Sequence, residues 1–412
     1  MSDPALCARC KGARRLCGRP KCPILERIEA NIKLLERIGK LGAQLYGLTP
    51  PSTLVGEYGY PKVNVILNIP PTAEIPADEY EVPEKWWGRK KLEDIIRLRS
   101  MLIGSKFRVG IKERNNKLLE AAREAAISIK PVDAEAVFKR PPRFRLSFDG
   151  IIAPLGPSGD VKSVYIVGNP VVPRRVDQLV EDENVRASDA IVELYRSGIS
   201  VYQIERLLSL GLLGRKRDRR LVPTRWSITA TDSVLADKLL KKVREYEEIN
   251  EIRIYSSEYI GNHYEIIMVP GAWSFEMIEI WLPRTIWVKA EKPYISVNYE
   301  LHDGKWRKEG VDGGYHAMKM PVLAYLYKER RQARVIAIRE VSPSYYAPVG
   351  VWQVRESVRA ALARGYEKKE SLREALYDIS KRIKTPMNLI LTNSYLLRSM
   401  LTQEDLLKYM RH

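Results

Sequence analysis

Residues 251–281 read EIRIYSSEYIGNHYEIIMVPGAWSFEMIEIW. Their content of β-branched and aromatic residues is typical of strands, and the pattern predicts three of them in succession. A fourth strand is predicted at residues 294–299, which read YISVNY. Helical periodicity on both sides of these strands makes the predicted fold α+β, a mixed sheet with surrounding helices.

Around the strands, apolar residues recur at three- and four-residue spacing, which is the period of an amphipathic helix. This spacing predicts a helix over residues 24–45, and further helices at 92–102, 116–127, 186–197, 201–210, 233–246, 315–327 and across most of 354–401. Residues 50–71 predict turns and short strands, and residues 333–339 predict a strand. Residues 304–314 are rich in glycine and are the best candidate for a linker.

All four cysteines fall within the first 22 residues, at Cys7, Cys10, Cys17 and Cys22. Two pairs of thiolates at this spacing predict a small zinc knuckle with a closed, structural Zn²⁺ site. Two disulfides or four unrelated thiols remain the alternative. No apolar leader and no run of about 20 apolar residues is present, so neither secretion nor a membrane span is indicated. We expect an intracellular, cytoplasmic location, where metal is favoured over disulfide.

The chain is strongly basic, with 69 Lys and Arg against 51 Asp and Glu in 412 residues, a net charge of +18. Such a surplus favours a polyanionic partner, and nucleic acid over a small acidic metabolite. Two clusters are candidate nucleic-acid contacts, and for Arg215, Lys216 and Arg217 a solvated charge run is an equal alternative. Their members are Arg9, Lys11, Arg14, Arg15, Arg19 and Lys21 in the cysteine segment, and Arg215, Lys216, Arg217 and Arg219 after a predicted helix.

Candidate catalytic residues are few, because the chain has only four histidines. His263 and Glu265 lie two residues apart on a predicted strand and therefore on one face, where they could transfer a proton or bind a divalent metal. The full candidate set is His263, Glu265, Asp232, Arg220, Arg225 and His316. A buried polar network that fixes the core is the alternative. No known nucleotide-binding fingerprint occurs, while Trp86, Trp87 and Trp226 are candidates for stacking on unpaired bases.

Several long strings resemble the archaeal Nre family of DNA repair proteins. They include PSTLVGEYGYPKVNV at residues 51–65, RLVPTRWSITA at 220–230, GNHYE at 261–265, RQAR at 331–334 and CGRPKCP at 17–23. The resemblance spans nearly the whole chain and implies a role in DNA damage repair with a link to the sliding clamp. It divides the chain into a zinc knuckle (1–23), an N-terminal region (24–300), a C-terminal region (301–401) and a tail (402–412).

The clamp link can be placed on particular residues of the tail. Clamp-binding peptides have the form Gln-x-x-aliphatic-x-x-aromatic-aromatic, and the tail contains Gln403, Leu406, Tyr409 and Met410 at those positions. On a short helical turn the last three would share one face and could fill an apolar pocket. Met410 departs from the aromatic residue of the pattern. The last turn of an ordinary amphipathic helix is the alternative.

The sequence thus predicts a zinc-containing DNA repair factor that binds DNA through basic surfaces and is recruited by the sliding clamp. We expect it to be associated with the nucleoid. Other repair proteins are further candidate partners. One alternative is an enzyme acting on DNA or a nucleotide, a nuclease or a nucleotide transferase, with a site around His263, Glu265 and Arg220. Another is a zinc protein that associates with RNA or the ribosome.

Overall fold

The fold is described from a computed structural model. It describes residues 21–38, 42–71, 75–143, 156–285, 288, 291–309 and 314–409, together with 9, 10, 14 and 16. Two compact units make up these residues. The N-terminal unit contains residues 24–143 and 156–235, and the C-terminal unit contains residues 236–409 with the described residues up to 23.

The N-terminal unit is built on a six-stranded mixed sheet in the order β1-β5-β6-β4-β3-β2. Only the β4–β6 pair is parallel. The strands are β1 (Gln44–Thr49), β2 (Thr53–Val55), β3 (Lys62–Ile69), β4 (Ile103–Gly110), β5 (Val132–Phe138) and β6 (Ser158–Ile166). Alternate residues of β3 and β5 are buried, so these strands have one face towards the core.

Eight helices begin within this part of the chain, and the last continues into the C-terminal unit. They are α1 (Pro23–Ile38), α2 (Pro83–Trp86), α3 (Leu92–Met101), α4 (Lys117–Ile127), α5 (Arg174–Glu181), α6 (Ala187–Arg196), α7 (Val201–Ser209) and α8 (Thr224–Val243). Helix α4 begins where the sequence predicts, because Oδ1 of Asn116 accepts hydrogen bonds from the amides of Leu118 and Leu119.

The C-terminal unit contains a seven-stranded mixed sheet in the order β11-β10-β9-β12-β8-β7-β13. The strands are β7 (Ile252–Tyr259), β8 (Asn262–Val269), β9 (Ser274–Trp281), β10 (Tyr294–Glu300), β11 (Trp306–Glu309), β12 (Arg334–Val341) and β13 (Glu367–Lys369). The helices are α9 (Tyr315–Glu329), α10 (Trp352–Ala363), α11 (Leu372–Ser380), α12 (Met387–Asn393) and α13 (Tyr395–Tyr409).

The apolar core of this unit lies on the face of the sheet that α11–α13 cover. Buried residues of five strands, mostly isoleucines, pack there against apolar residues of the helices, and they include Ile267, Ile278, Ile336, Ile338, Leu376 and Leu397. Strand β12 lies at the centre, parallel to β9 and antiparallel to β8. Only Arg334 of its eight residues is not buried, so both faces of the strand are covered, and the buried residues include Arg339 and Glu340.

The α+β prediction is confirmed, with two mixed sheets in place of the single one expected. Strands β7–β10 and β12 lie where the pattern places them. The helix predicted over 24–45 ends at Ile38, because Gln44–Thr49 pairs with β5 instead. The linker predicted at 304–314 is wrong for residues 306–309, which form β11 on the edge of the second sheet. Tertiary strand pairing overrides local propensity in both places.

No helix of the described residues is both long enough and apolar enough to cross a membrane.

Candidate functional site

The GNHYE string forms the β7–β8 hairpin turn and the start of β8. Gly261 has φ +75°, and a Cβ there would lie 2.6 Å from the backbone nitrogen of Tyr345. A side chain at this position would therefore be strained and would collide with the loop after β12. Because side chains of a strand alternate, the four residues that follow Gly261 serve two faces of the sheet.

His263 and Glu265 project from one face of β8. Nε2 of His263 lies 2.7 Å from Oε1 of Glu265, which is completely buried. The carboxylate also accepts a hydrogen bond from the Ser256 hydroxyl at 2.5 Å, and Nε of Arg382 lies 2.9 Å from it. Arg382 reaches on to Glu367 at 2.8 Å. The predicted pair is thus held inside a chain of charged hydrogen bonds.

The other side of the imidazole faces an exposed carboxylate. Nδ1 of His263 lies 3.9 Å from Oε2 of Glu258, across the β7–β8 pair. An imidazole between a buried and an exposed carboxylate has the geometry for relaying a proton to solvent. Among the residues that the structure describes, no group of three or more His, Cys, Asp or Glu is arranged to hold a metal ion. The contacts of His263 with the two carboxylates suit proton transfer or a structural polar network.

Asn262 and Tyr264 project from the opposite face into a second buried network. Nε and Nη2 of Arg339 donate to Oδ1 of Asn262 at 3.1 and 2.8 Å, and Arg339 also pairs with Glu279. The Tyr264 hydroxyl donates to Oε1 of Gln353 at 2.8 Å. Burial raises the pKa of this hydroxyl, so Tyr264 is a donor at neutral pH. No local pattern in the sequence indicates this network, because its members are scattered over four elements.

His316 belongs to an aromatic cluster at the start of α9. Its ring centroid lies 5.0 Å from that of Trp306 and 5.3 Å from that of Tyr315. The Tyr315 hydroxyl donates to Glu300 at 3.1 Å, and Nζ of Lys319 lies 2.6 Å from the same buried carboxylate. His316 is therefore beside a buried ion pair.

The other three predicted catalytic residues lie in the N-terminal unit. Asp232 is buried on α8, while Arg220 and Arg225 are exposed. The guanidinium of Arg225 lies 3.1 Å from Oε2 of Glu57. The structure thus brings His263 and Glu265 together, and the convergence of all six residues in one site stays a prediction.

Arg220 and Arg225 lie at one end of the first sheet, where three loops meet. The amide of Leu221 donates to the carbonyl of Ile111 at 2.8 Å, and the amide of Ile111 donates to Pro61 at 3.0 Å. These bonds hold the chain before α8 against the β3–β4 end of the sheet. Six exposed cations occur in this region, called the basic end below: Lys62, Arg108, Lys112, Arg114, Arg220 and Arg225.

The cluster after α7 is only partly available to a ligand. The guanidinium of Arg219 donates to three backbone carbonyls, of Gly214, Val180 and Asp182, at 2.6–2.7 Å. Lys216 pairs with Glu183, and Arg217 lies 3.8 Å from Asp218. These bonds hold the loop in place, so Arg219 is not among the cations that we propose to contact DNA. Arg215 is half-buried.

Part of the cysteine segment lies outside the described residues. The predicted site residues outside them are Cys7, Cys17, Lys11, Arg15 and Arg19. Cys10 is buried, and its Sγ accepts a hydrogen bond from the amide of Leu16 at 3.4 Å. Backbone donors to sulfur are the environment that a thiolate ligand needs. Arg9, Arg14 and Lys21 are exposed. Cys22 is half-buried. The four-cysteine zinc site stays a prediction.

The predicted clamp-binding residues lie at the end of α13. The backbone of residues 403–409 continues the helix, while Met410 lies outside the described residues. The first turn of α13 is fixed by Glu276, whose carboxylate accepts hydrogen bonds from the Tyr395 amide at 2.6 Å and from the Ser394 hydroxyl. Burial raises the pKa of Glu276 in spite of these bonds. These bonds fix the start of α13, and the predicted clamp-binding residues lie at the opposite end of the helix.

The described residues form two mixed α+β units, with a hairpin that supplies two buried polar networks and a set of exposed cations, the basic end. Models of the archaeal Nre N-terminal and C-terminal regions match residues 16–288 and 300–409. The chain therefore belongs to the archaeal Nre family.

Relatives with assigned names align over most of their length. The DNA repair protein NreA of Archaeoglobus fulgidus is 39% identical over 380 residues, covering 92% of this chain and 93% of the relative. NreB of the same organism, also named a DNA repair protein, is 35% identical over 376 residues, 91% and 92% of the two chains. NreA of Haloferax volcanii is 35% identical over 379 residues, 89% and 90% of the two. No solved structure matches the chain.

Proposed function

We propose that this chain is a DNA repair protein that contacts DNA through basic surfaces and is recruited by the sliding clamp through its C-terminal tail. The observation that carries the repair role is the similarity over about nine-tenths of the chain to relatives named DNA repair proteins. A net charge of +18 supports contact with the DNA backbone.

The basic end is the best-supported place for DNA contact. Lys62 and Arg108 are exposed there on β3 and β4, and Lys112 and Arg114 are exposed in the loop that follows β4. Arg9, Arg14 and Lys21 give the cysteine segment a second cationic surface. Contacts of this kind do not depend on the base sequence. The logarithm of the binding constant falls with the logarithm of the salt concentration, with a slope of about −0.9 for each phosphate neutralised. We therefore expect binding to duplex DNA that depends strongly on ionic strength.

Fluorescence anisotropy with a labelled DNA duplex at several salt concentrations tests the contact. Replacing Arg108, Lys112 and Arg114 by Gln should weaken binding and reduce the salt slope by about 1 for each phosphate that the variant no longer neutralises. Lys130→Gln is a matched control, because Lys130 is exposed in the loop before β5. If the triple variant binds with the affinity and salt slope of the wild type, DNA does not contact the basic end.

Recruitment by the clamp rests on the tail motif and its helical backbone. The helical backbone described through Tyr409 supports this role, because a helical turn carrying Leu406 and Tyr409, followed by Met410, would offer one apolar face to a pocket of the clamp, with Gln403 hydrogen-bonding beside it. Calorimetry should detect binding of the intact chain to the clamp of the same organism at micromolar or tighter affinity. A chain lacking residues 403–412, or carrying Leu406→Ala with Tyr409→Ala, should not bind. Equal binding by the truncated chain would assign recruitment to another surface.

The four cysteines are proposed to hold one structural Zn²⁺, with Cys7, Cys10, Cys17 and Cys22 as ligands. The buried position of Cys10 and the amide donor to its sulfur support this assignment. A bound Zn²⁺ would fix the geometry of a segment too short to form a core. It would also hold the six cations of the cysteine segment on one surface.

A second candidate function is an enzyme that acts on DNA or a nucleotide. The 2.7 Å contact between His263 and the buried Glu265 favours it, because a buried carboxylate can orient an imidazole for proton transfer. Turnover that His263→Ala abolishes, and that His263→Gln also abolishes while the fold is intact, would support catalysis. Full activity of either variant would make the pair structural.

A further inference from the structure

Three large aromatic side chains are exposed together on the basic end. They are Tyr58, Tyr60 and Trp226, whose exposed fractions are 87%, 44% and 43%. We call these three residues the aromatic platform. Isolated exposed aromatics are ordinary, whereas several together with cations around them mark a binding surface.

The platform is fixed by contacts within the N-terminal unit. The rings of Tyr60 and Trp226 have centroids 5.3 Å apart at an interplanar angle of 44°. The segment that carries the tyrosines is closed by a hydrogen bond from the Gly56 amide to the Asn64 carbonyl at 2.8 Å. It is joined to the start of α8 by the bond from the Val55 amide to the Thr224 hydroxyl at 2.9 Å. The three rings are therefore presented by ordered backbone.

Arg108 lies against the turn that separates the two tyrosines. Gly59 has φ +83°, and a Cβ there would lie 2.6 Å from Nη2 of Arg108. Strand pairing places Asn64 opposite Arg108 and Lys62 opposite Gly110, so both cations stand on the solvent-facing side of the β3–β4 pair. A guanidinium and an ammonium thus border the rings on the sheet side.

The remaining cations border the rings on the loop side. Arg225 precedes Trp226 in the first turn of α8, and Arg114 donates to the Lys216 carbonyl at 3.0 Å. Two acidic residues lie in the same loops. Glu57 pairs with Arg225, and Glu113 accepts hydrogen bonds from the amides of Arg114 and Asn115. Six cations of the basic end against two acids leave the surface net positive.

From this arrangement we propose that the aromatic platform binds the unpaired bases of a single-stranded nucleic acid, while the surrounding cations hold its phosphates. The inference rests on the proposed function and names the form of nucleic acid that the basic end takes. Base–aromatic stacking needs an open face of the base, which a duplex hides and a single strand offers. An apolar protein partner fits less well, because Arg108 and Arg225 lie between and beside the rings.

The test is anisotropy with three labelled probes of about 16 nucleotides, oligodeoxythymidine, oligouridine and a DNA duplex. Trp226→Ala and Tyr58→Ala should each weaken binding to the single strand about tenfold or more, and should leave duplex affinity within about twofold. Trp226→Phe should restore most of the affinity, since it keeps a ring. Tyr165→Ala is the matched control, because Tyr165 is 57% exposed on β6 of the same unit.

The outcomes separate this inference from the function it rests on. Single-strand affinity that is unchanged in Trp226→Ala and Tyr58→Ala overturns the platform, while duplex binding would still support a DNA-contacting basic end. Binding to none of the three probes overturns both. A loss confined to oligodeoxythymidine supports the platform with single-stranded DNA as ligand. A loss confined to oligouridine supports the same stacking chemistry with RNA as ligand.

Discussion

Glu265 provides the sharpest test of the candidate site, since the whole polar chain on that face depends on it. Glu265→Gln preserves the shape of the side chain and removes its charge. The carboxylate that this change removes is completely buried and is contacted by the Ser256 hydroxyl, the His263 imidazole and the Arg382 guanidinium. We expect a large loss of stability, because an amide cannot replace a carboxylate as acceptor for all three.

The magnitude follows from what the change leaves behind. Breaking a fully buried ion pair costs about 3–5 kcal/mol, chiefly because a charge is left without a partner. Here Arg382 keeps its 2.8 Å contact with Glu367 and is 27% exposed, so its charge is not abandoned. The cost therefore falls at the lower end, about 3 kcal/mol. For a unit of this size that lowers Tm by about 6–12 °C.

Differential scanning calorimetry at neutral pH measures the shift. Glu258→Gln is the matched control, because Glu258 faces the same imidazole from 3.9 Å but is 72% exposed. A surface charge of this kind contributes at most about 1 kcal/mol, so Tm should fall by less than about 4 °C. The reasoning is refuted if Glu265→Gln melts with the wild type, or if both variants are destabilised equally.

Three further changes have defined outcomes in thermal melts and metal analysis. Gly261→Ala should destabilise the protein by more than Gly365→Ala, because both glycines have positive φ but only Gly261 of the two is closely approached by other atoms. The backbone strain that the two variants share costs about 1–3 kcal/mol. Equal losses of stability would show that the close approach at Gly261 contributes nothing. Hydrogen bonds from Lys369 and Lys381 lower the pKa of Asp378 from 3.8 to about 2, so the stabilisation is present above pH 3.8 and is lost as pH falls through about 2. Asp378→Asn should thus lower Tm at neutral pH, with a difference from the wild type that closes in that window; a difference independent of pH would contradict the assignment. The purified protein should contain about one equivalent of zinc, and a chelator should release it and loosen the cysteine segment, as seen by faster proteolysis there; a folded sample with substantially less than one equivalent would exclude the site.

The local patterns were sufficient for most elements and for one pair in the candidate site. The strand period alone places His263 and Glu265 on one face of β8, and the structure confirms their contact. Nothing in the local sequence indicated that Arg382 would reach the same carboxylate, because 117 residues separate it from Glu265. The network of Asn262 and Arg339 escaped notice for the same reason, since its members lie on different strands.

The sequence by itself determined the α+β class, the positions of most helices and strands, the basic character and the motifs that identify the family. These depend on composition and on periods of two and 3.6 residues, which neighbouring residues set. Tertiary structure alone decided that there are two sheets, that residues 306–309 extend one of them, and that Arg219 is used by backbone carbonyls. It also placed Tyr58, Tyr60 and Trp226 on one surface. The rings of Tyr60 and Trp226 lie 5.3 Å apart although about 165 residues separate them in the chain, and no local pattern encodes a contact of that range.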